Sequence, residues 1–172
     1  MNRVLLVCVC IMVCGLYACK KSELFGIVQY DAQAKTDDSL VSNYIKSHGL
    51  TGIAKRVDDT SGVYYIVLDP GSGNTLFTNS TQITVGDTGK LLLPNDQEFY
   101  ETSDSTGDFH PSYSLGQVIL GWQLGIPKIS TGGEVRLLIP SRYAYGHYPQ
   151  SELGLPANAI LDFYIRLYNV TN

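Results

Sequence analysis

Few side chains in this sequence are of the types that carry covalent or metal-assisted catalysis. The three histidines, His48, His110 and His147, lie far apart in the chain, and none belongs to a His-Glu-x-x-His metal motif. No Gly-x-Ser-x-Gly nucleophile elbow is present. The carboxylates mostly lie in polar stretches, where solvated surface is their usual role. Hydrolysis, redox and metal-assisted reactions thus lack their reagents, and we expect neither a metal nor a cofactor.

The cysteines restrict the chemistry further. Cys8, Cys10, Cys14 and Cys19 all lie in the first 19 residues, and the rest of the chain has none. A disulfide framework, a cysteine-ligated zinc site and a cysteine nucleophile are therefore excluded from the folded body.

The start of the chain has the pattern of an export signal. Arg3 precedes an apolar run from Val4 to Ala18, which fits a secretory signal and is short for a membrane-spanning helix of roughly 20 residues. The tetrapeptide 16–19, Leu-Tyr-Ala-Cys, resembles the bacterial lipobox, in which cleavage before cysteine leaves an acylated N-terminus. We expect a signal peptide over 1–18 and a lipoprotein anchored through Cys19 in a bacterial cell envelope, in the periplasm or at the cell surface. A plain signal peptide or an uncleaved anchor is the alternative.

What remains for function is a set of aromatic and aliphatic side chains in the second half of the chain. They are Phe99, Trp122, Tyr145, Phe163, Val118, Ile119 and Leu155. The pattern alone favours an ordinary hydrophobic core for this set. Because Val118 and Ile119 precede Trp122 by four and three residues, one short helix over 117–124 would direct all three side chains to one face of a sheet.

The elements that must position these side chains are mostly strands. Val63–Leu68 is rich in β-forming residues and ends at a turn rich in glycine over 69–74. One or two strands follow within 82–93. Apolar residues alternate along 161–168, which is typical of an antiparallel strand with one buried face, and 135–139 is its expected partner.

A helix is predicted over 36–49, before the strands. Leu40, Val41, Tyr44 and Ile45 fall on one helical face, acidic residues begin the segment, and Gly49 supplies a C-cap. Residues 20–35 lack firm periodicity and are predicted to form a tether, and the polar segment 94–112 to form a loop. The expected division is therefore a lipidated tether with its helix over 19–61 and one domain over 62–172.

Composition limits the partners. The 172 residues carry a net charge of −4 with only 12 lysines and arginines, which is too few cations to build a surface for nucleic acid. Charged residues make up 16% and hydrophobic residues 44%, which indicates a folded globular body rather than a disordered one. We expect a monomer that does not bind nucleic acid.

Several blocks in the second half resemble one known family. Leu115–Trp122, Leu-Gly-Gln-Val-Ile-Leu-Gly-Trp, resembles the "LG-x-VI-x-GW" core of the FKBP-type peptidyl-prolyl cis-trans isomerases. The segments 132–134, 139–146 and 155–163 continue the resemblance in family order and spacing. The resemblance covers roughly 62–170 and implies an α+β fold, with a twisted antiparallel sheet of five or six strands wrapped around one short helix, after an N-terminal helical extension.

The same resemblance implies an X-Pro pocket that needs no cofactor. Trp122 would be its floor with Val118 and Ile119 beside it, Phe99 and Phe163 its walls, Tyr145 the rim hydroxyl for a bound carbonyl, and Leu155 an apolar lip. Tyr145, Trp122 and Phe99 would be the catalytic residues, and Tyr100 would join the others in contacting substrate. The implied partner is an unfolded or extended polypeptide that contains proline.

Two positions differ from the family pattern. Asp87 stands where the family has a pocket tyrosine, and Tyr100 where it has a pocket aspartate, so an exchanged pair could restore a hydrogen bond between them. The sequence supports an isomerase for exported proteins, and the alternative is a non-catalytic peptide-binding or chaperone module on a degenerate form of the fold. A glycan-binding surface protein rich in tyrosine is a more distant alternative.

Overall fold

The computed structural model describes residues 26–93, 96–102 and 110–172. Contacts divide the chain into two compact units, Met1–Thr36 and Asp37–Asn172. The predicted signal peptide and Cys19 lie outside the described residues. Within the described ranges, no helix has both the length and the apolar character needed to cross a membrane.

The first helix, α1, covers 26–47, so the prediction of a tether is wrong for residues 26–35. The run Ala32-Gln33-Ala34-Lys35 consists of strong helix formers, which extend the helix without an apolar periodicity. Gly49 ends the helix with a φ of 68°, and the Leu50 N–H donates to the Ile45 carbonyl over 2.9 Å. The predicted glycine C-cap is thereby confirmed.

The described residues form one sheet of seven strands, whose neighbours are all antiparallel. The strands are β1 (Lys55–Arg56), β2 (Tyr64–Asp69), β3 (Gln82–Leu91), β4 (Glu98–Glu101), β5 (Ser112–Ser114), β6 (Glu134–Ile139) and β7 (Leu161–Thr171). Their order is β1-β2-β6-β7-β3-β4, and β5 pairs with the first half of β3. The predicted antiparallel sheet is confirmed, and it has more strands than the five or six expected. Strands β4 and part of β5 lie in the segment that was predicted to be a loop.

A short helix, α2 (Leu120–Gly125), packs against β6 on the inner face of the sheet. A β-carbon at Gly121 would lie 2.5 Å from an Ile139 methyl, and one at Gly125 would lie 2.4 Å from a Leu137 methyl. Glycine at these two positions therefore allows the helix to approach the strand closely. The helix begins later than the predicted 117, because Val118 and Ile119 keep an extended backbone between α2 and a 3₁₀ turn at Leu115–Gln117.

Both faces of β7 are covered at its N-terminal end. The alternating side chains at 161, 163, 165 and 167 lie in the inner core with Trp122. On the outer face, Val41, Tyr44 and Ile45 of α1 pack with Leu92, Leu138 and Ile160. Asp162, on the outer face of β7, is only 2% exposed and pairs with Arg136 at 2.7 Å under this cover.

Candidate functional site

A cavity of about 310 Å³ opens between the inner face of the sheet, α2 and the loops after β6. Its described lining comprises Asp87, Phe99, Tyr100, Tyr113, Gln117, Val118, Ile119, Trp122, Tyr145, Leu153 and Phe163. Six of these eleven residues are aromatic, and the lining includes no cysteine, histidine, lysine or arginine. The described lining can therefore enclose an apolar group, and it holds no thiol or imidazole that could act as a nucleophile or bind a metal.

Edge-to-face aromatic contacts build the floor and walls. The ring of Trp122 lies 5.1 Å from that of Phe163, which in turn lies 5.7 Å from that of Phe99. Tyr113 approaches Trp122 from β5 at 6.2 Å. These T-shaped pairs fix the ring orientations, since edge-to-face packing matches the charge distributions of neighbouring rings. A β-carbon at Gly89 would lie 2.7 Å from both phenylalanine rings, so glycine there lets them approach β3.

Val118 and Ile119 reach the cavity from the turn before α2. The Trp122 N–H donates to the Ile119 carbonyl over 2.9 Å, and the Gln123 side-chain amide donates to the Val118 carbonyl over 2.8 Å. These bonds hold the extended turn against the first turn of the helix. The three side chains expected to share one face do line one cavity, although only Trp122 is within α2.

Tyr145 is positioned by a turn that hydrogen bonds secure at both ends. The Ser141 carbonyl accepts from the N–H groups of Ala144 at 2.9 Å and Gly146 at 2.8 Å. Ser141 in turn donates its N–H and its hydroxyl to the Asp37 carboxylate of α1, over 2.9 and 2.6 Å. The N-terminal helix therefore helps to fix the turn that carries a pocket residue.

Leu155, expected as the apolar lip, lies elsewhere. It is 3% exposed, belongs to the inner core and pairs through its backbone with Gln150, and it does not line the cavity. Leu153 lines the cavity in its place. Leu153 ends the short 3₁₀ turn Ser151–Leu153, and the left-handed Gly154 separates it from Leu155. The sequence did not signal which of them would face the cavity.

Asp87 is buried in the cavity without a partner. Its residue is 3% exposed, and neither carboxylate oxygen has a hydrogen-bond partner among the described residues. Burial raises the pKa of Asp87 to about 6, with the hydroxyl of Thr102 opposing the shift. The hydrogen bond that an exchanged pair could have restored between Asp87 and Tyr100 is not formed, and the Tyr100 hydroxyl lies 3.4 Å from that of Tyr113.

Tyr145 and Tyr113 keep their protons at neutral pH. Burial is the largest cause that raises the pKa of Tyr145, and Tyr100 and Asp87 add to the shift. Burial likewise raises the pKa of Tyr113 far above its ordinary range. Each hydroxyl can therefore donate a hydrogen bond, and the Tyr145 hydroxyl is available for a carbonyl oxygen.

Of the residues expected to bind substrate, the structure brings together Phe99, Tyr100, Val118, Ile119, Trp122, Tyr145 and Phe163. It adds Tyr113, Gln117 and Leu153, which sequence reasoning missed. Tyr113 could have been found by the alternation of Tyr113 with polar neighbours in β5, although three residues are too few to distinguish a strand from a loop.

Comparisons with known proteins agree with this geometry. Residues 73–168 match the model of the family described as FKBP-type peptidyl-prolyl cis-trans isomerase. The chain is 42% identical over 110 residues to FK506-binding protein 1 of Candida glabrata, covering 63% of this chain and 93% of that protein. It is 37% identical over 123 residues to the FKBP-type peptidyl-prolyl cis-trans isomerase FkpA of Buchnera aphidicola, covering 72% of this chain and 45% of that protein. Among solved structures, a peptidyl-prolyl cis-trans isomerase of Pseudomonas syringae superposes with a TM-score of 0.66 at 25% identity, covering 83% of this chain and 96% of that one.

Proposed function

We propose that the aromatic cavity of this chain binds an X-Pro segment of an unfolded or extended polypeptide. There it speeds rotation about the X-Pro bond. The basis is that the chain belongs to the FKBP-type peptidyl-prolyl cis-trans isomerase family. The cavity around Trp122 is the observation that carries this proposal, since its volume of about 310 Å³ suits a small apolar ring flanked by backbone.

The physical basis of the reaction matches the residues of the site. An imide bond rotates over a barrier of about 18–20 kcal/mol, because rotation removes the resonance between nitrogen and carbonyl. The twisted state has a less polar carbonyl than the planar state. An apolar enclosure that excludes water stabilises the twisted state relative to the planar one, and no covalent step or metal is required.

Positioning comes from two sides of the cavity. Trp122 and Phe163 present flat apolar surfaces to a prolyl ring, and their T-shaped contact at 5.1 Å keeps the surfaces in place. The Tyr145 hydroxyl, protonated at neutral pH, donates to a substrate carbonyl at the rim. A substrate held by both the aromatic surfaces and the Tyr145 hydroxyl has one side of its X-Pro bond fixed while the other side rotates.

The N-terminal sequence supports a proposal for the cellular substrates. The apolar run before Cys19 and the lipobox-like tetrapeptide support export and acylation, and acyl chains would hold the domain at a membrane because each buried methylene contributes about 0.8 kcal/mol. We place the protein in a bacterial cell envelope, in the periplasm or at the cell surface, where it assists the folding of exported proteins.

A second candidate function is non-catalytic peptide binding. It is favoured by one observation, the unpartnered carboxyl of Asp87 inside an otherwise apolar cavity. A buried ionised group disturbs a site whose chemistry depends on a dry interior, which lowers turnover without abolishing contact with a peptide.

A refolding assay on a protein whose folding is limited by proline isomerisation separates the two functions. We expect wild type to accelerate the slow phase, and both Trp122→Ala and Tyr145→Phe to reduce that acceleration. Tyr168→Phe removes a hydroxyl outside the cavity lining and serves as the matched control. No acceleration by wild type, with peptide binding still measurable, would establish the binding module instead.

A further inference from the structure

The side chain of Asp87 has a fixed place in the cavity. Its N–H donates to the Thr102 hydroxyl over 2.6 Å, and its carbonyl accepts from the Thr102 N–H over 2.9 Å. It is also in register with Ile165 of β7 in the middle of the sheet. With the backbone held on both sides, the side chain of Asp87 is fixed to the inner face of the sheet, where it lines the cavity.

None of the described residues that line the cavity carries a positive charge to face this carboxyl. The titratable groups around it are Tyr100 on β4, Tyr113 on β5 and Tyr145 in the turn after β6. Strand β7 contributes Phe163 and helix α2 contributes Trp122, and neither ring titrates. Among the described lining residues there is no cation, so an ionised Asp87 is stabilised only by neutral hydroxyl groups such as that of Thr102 and by water that enters the cavity.

A bound X-Pro segment removes that water. The prolyl ring offers only C–H groups, and the imide nitrogen carries no hydrogen. The carbonyl oxygens on either side of proline are acceptors, which an ionised carboxylate repels. A protonated carboxyl carries no charge to desolvate and supplies an O–H donor, so it costs far less to cover.

We propose that Asp87 determines the specificity of the pocket: it must be protonated when an uncharged X-Pro segment fills the cavity, so that binding takes up a proton. This inference rests on the function proposed above. The pocket consequently binds neutral proline peptides tightly in mildly acidic solution and releases them as pH rises.

The raised pKa of Asp87 sets the range in which this coupling is visible. With a pKa of about 6, the free protein is mostly protonated below pH 5 and mostly ionised above pH 7. If only the protonated form binds, the dissociation constant is flat at low pH and rises about tenfold per pH unit above the pKa. Between pH 5 and pH 8 the affinity is then expected to fall by about 100-fold.

The test measures binding of a capped, uncharged Ala-Leu-Pro-Ala peptide to the full chain by titration calorimetry between pH 5 and pH 8. Three proteins are compared: wild type, Asp87→Asn and Asp59→Asn. The asparagine at 87 keeps the shape and removes the titration. Asp59 is an exposed aspartate outside the cavity lining and provides the matched acid-to-amide control.

We expect wild type and Asp59→Asn to lose affinity for the peptide above pH 6. Asp87→Asn should bind the peptide with the same affinity from pH 5 to pH 8, and at pH 8 this variant should bind more tightly than wild type. Should Asp87→Asn fail to fold, wild type alone decides: titrations at pH 7 in two buffers of different ionisation enthalpy must show uptake of close to one proton. Affinity of wild type that is independent of pH, with no proton uptake, would overturn the inference and leave the proposed function standing. No peptide binding by any variant at any pH would refute the proposed function, and the inference with it.

Discussion

Replacing Asp37 by alanine is expected to destabilise the domain severely, because this carboxylate joins α1 to the turn before Tyr145. Asp37 is 0% exposed and Ser141 is 1% exposed. Ser141 donates two hydrogen bonds to the carboxylate, over 2.9 and 2.6 Å. Each hydrogen bond to a charged group contributes about 1.5–3 kcal/mol, and alanine regains about 0.5 kcal/mol of helix propensity. We therefore expect a loss of about 3–5 kcal/mol in the free energy of unfolding.

Urea unfolding followed by tryptophan fluorescence measures this loss, with Asp31→Ala as the matched control. Asp31 is an exposed aspartate of the same helix, and surface substitutions usually change stability by about 0.5 kcal/mol or less. Ser141→Ala adds a double-mutant cycle, in which the two substitutions together should cost less than the sum of their separate effects. A loss below about 1 kcal/mol in the free energy of unfolding for Asp37→Ala, or strict additivity with Ser141→Ala, would show that the Asp37–Ser141 hydrogen bonds do not stabilise the domain as proposed.

Three further predictions concern the strand, the carboxyl and the leader. Gly89→Ala should cost about 1–3 kcal/mol of stability by displacing two pocket rings, whereas Gly52→Ala, whose β-carbon would meet nothing within 4 Å, should cost little in the same unfolding assay. Because the pKa of Asp87 is raised in the folded state, the folded state loses stability relative to the unfolded chain as pH rises from about 4 to 6. Urea unfolding should therefore show a free energy of unfolding for Asp87→Asn about 1–3 kcal/mol above that of wild type at pH 8, and almost no difference at pH 4. Mass spectrometry of the native protein should find an acylated N-terminal Cys19, and an unmodified terminus elsewhere would contradict the lipoprotein proposal.

Sequence periodicity identified the elements that bury one continuous face. The alternation along β7 is readable because it repeats over several residues, and the three- and four-residue spacing to Trp122 indicates the short helix, although α2 begins later than that spacing predicts. Strands β4 and β5 have four and three residues, too few for a period, and polar neighbours concealed them. Residues 26–35 are helical through local propensity rather than through an apolar stripe, so the search for periodicity missed them.

Tertiary packing decided the remainder. Asp162 is buried on the outer face of β7 because α1 covers it and Arg136 pairs with it, and the strand's own pattern contains neither fact. Leu153 lines the cavity and Leu155 does not, and a 3₁₀ turn and a left-handed glycine lie between the start of this segment and Leu155. Asp87 lacks a partner in the structure, and the Tyr100 hydroxyl lies next to the Tyr113 hydroxyl. The sequence does not contain the orientation of Tyr100.

The proposed function requires that the cavity around Trp122 speeds rotation of the X-Pro bond. Two-dimensional NMR exchange spectroscopy on a capped Ala-Leu-Pro-Ala peptide measures that rotation directly, by exchange between cis and trans signals. The uncatalysed bond takes tens to hundreds of seconds to isomerise, too slow for exchange peaks to appear. We predict that a catalytic amount of wild type at pH 6 produces such peaks and that Trp122→Ala, checked to be folded, does not. Peptide signals that shift on binding while cis–trans exchange stays at the uncatalysed rate would show that the cavity binds the peptide without catalysing rotation of its X-Pro bond.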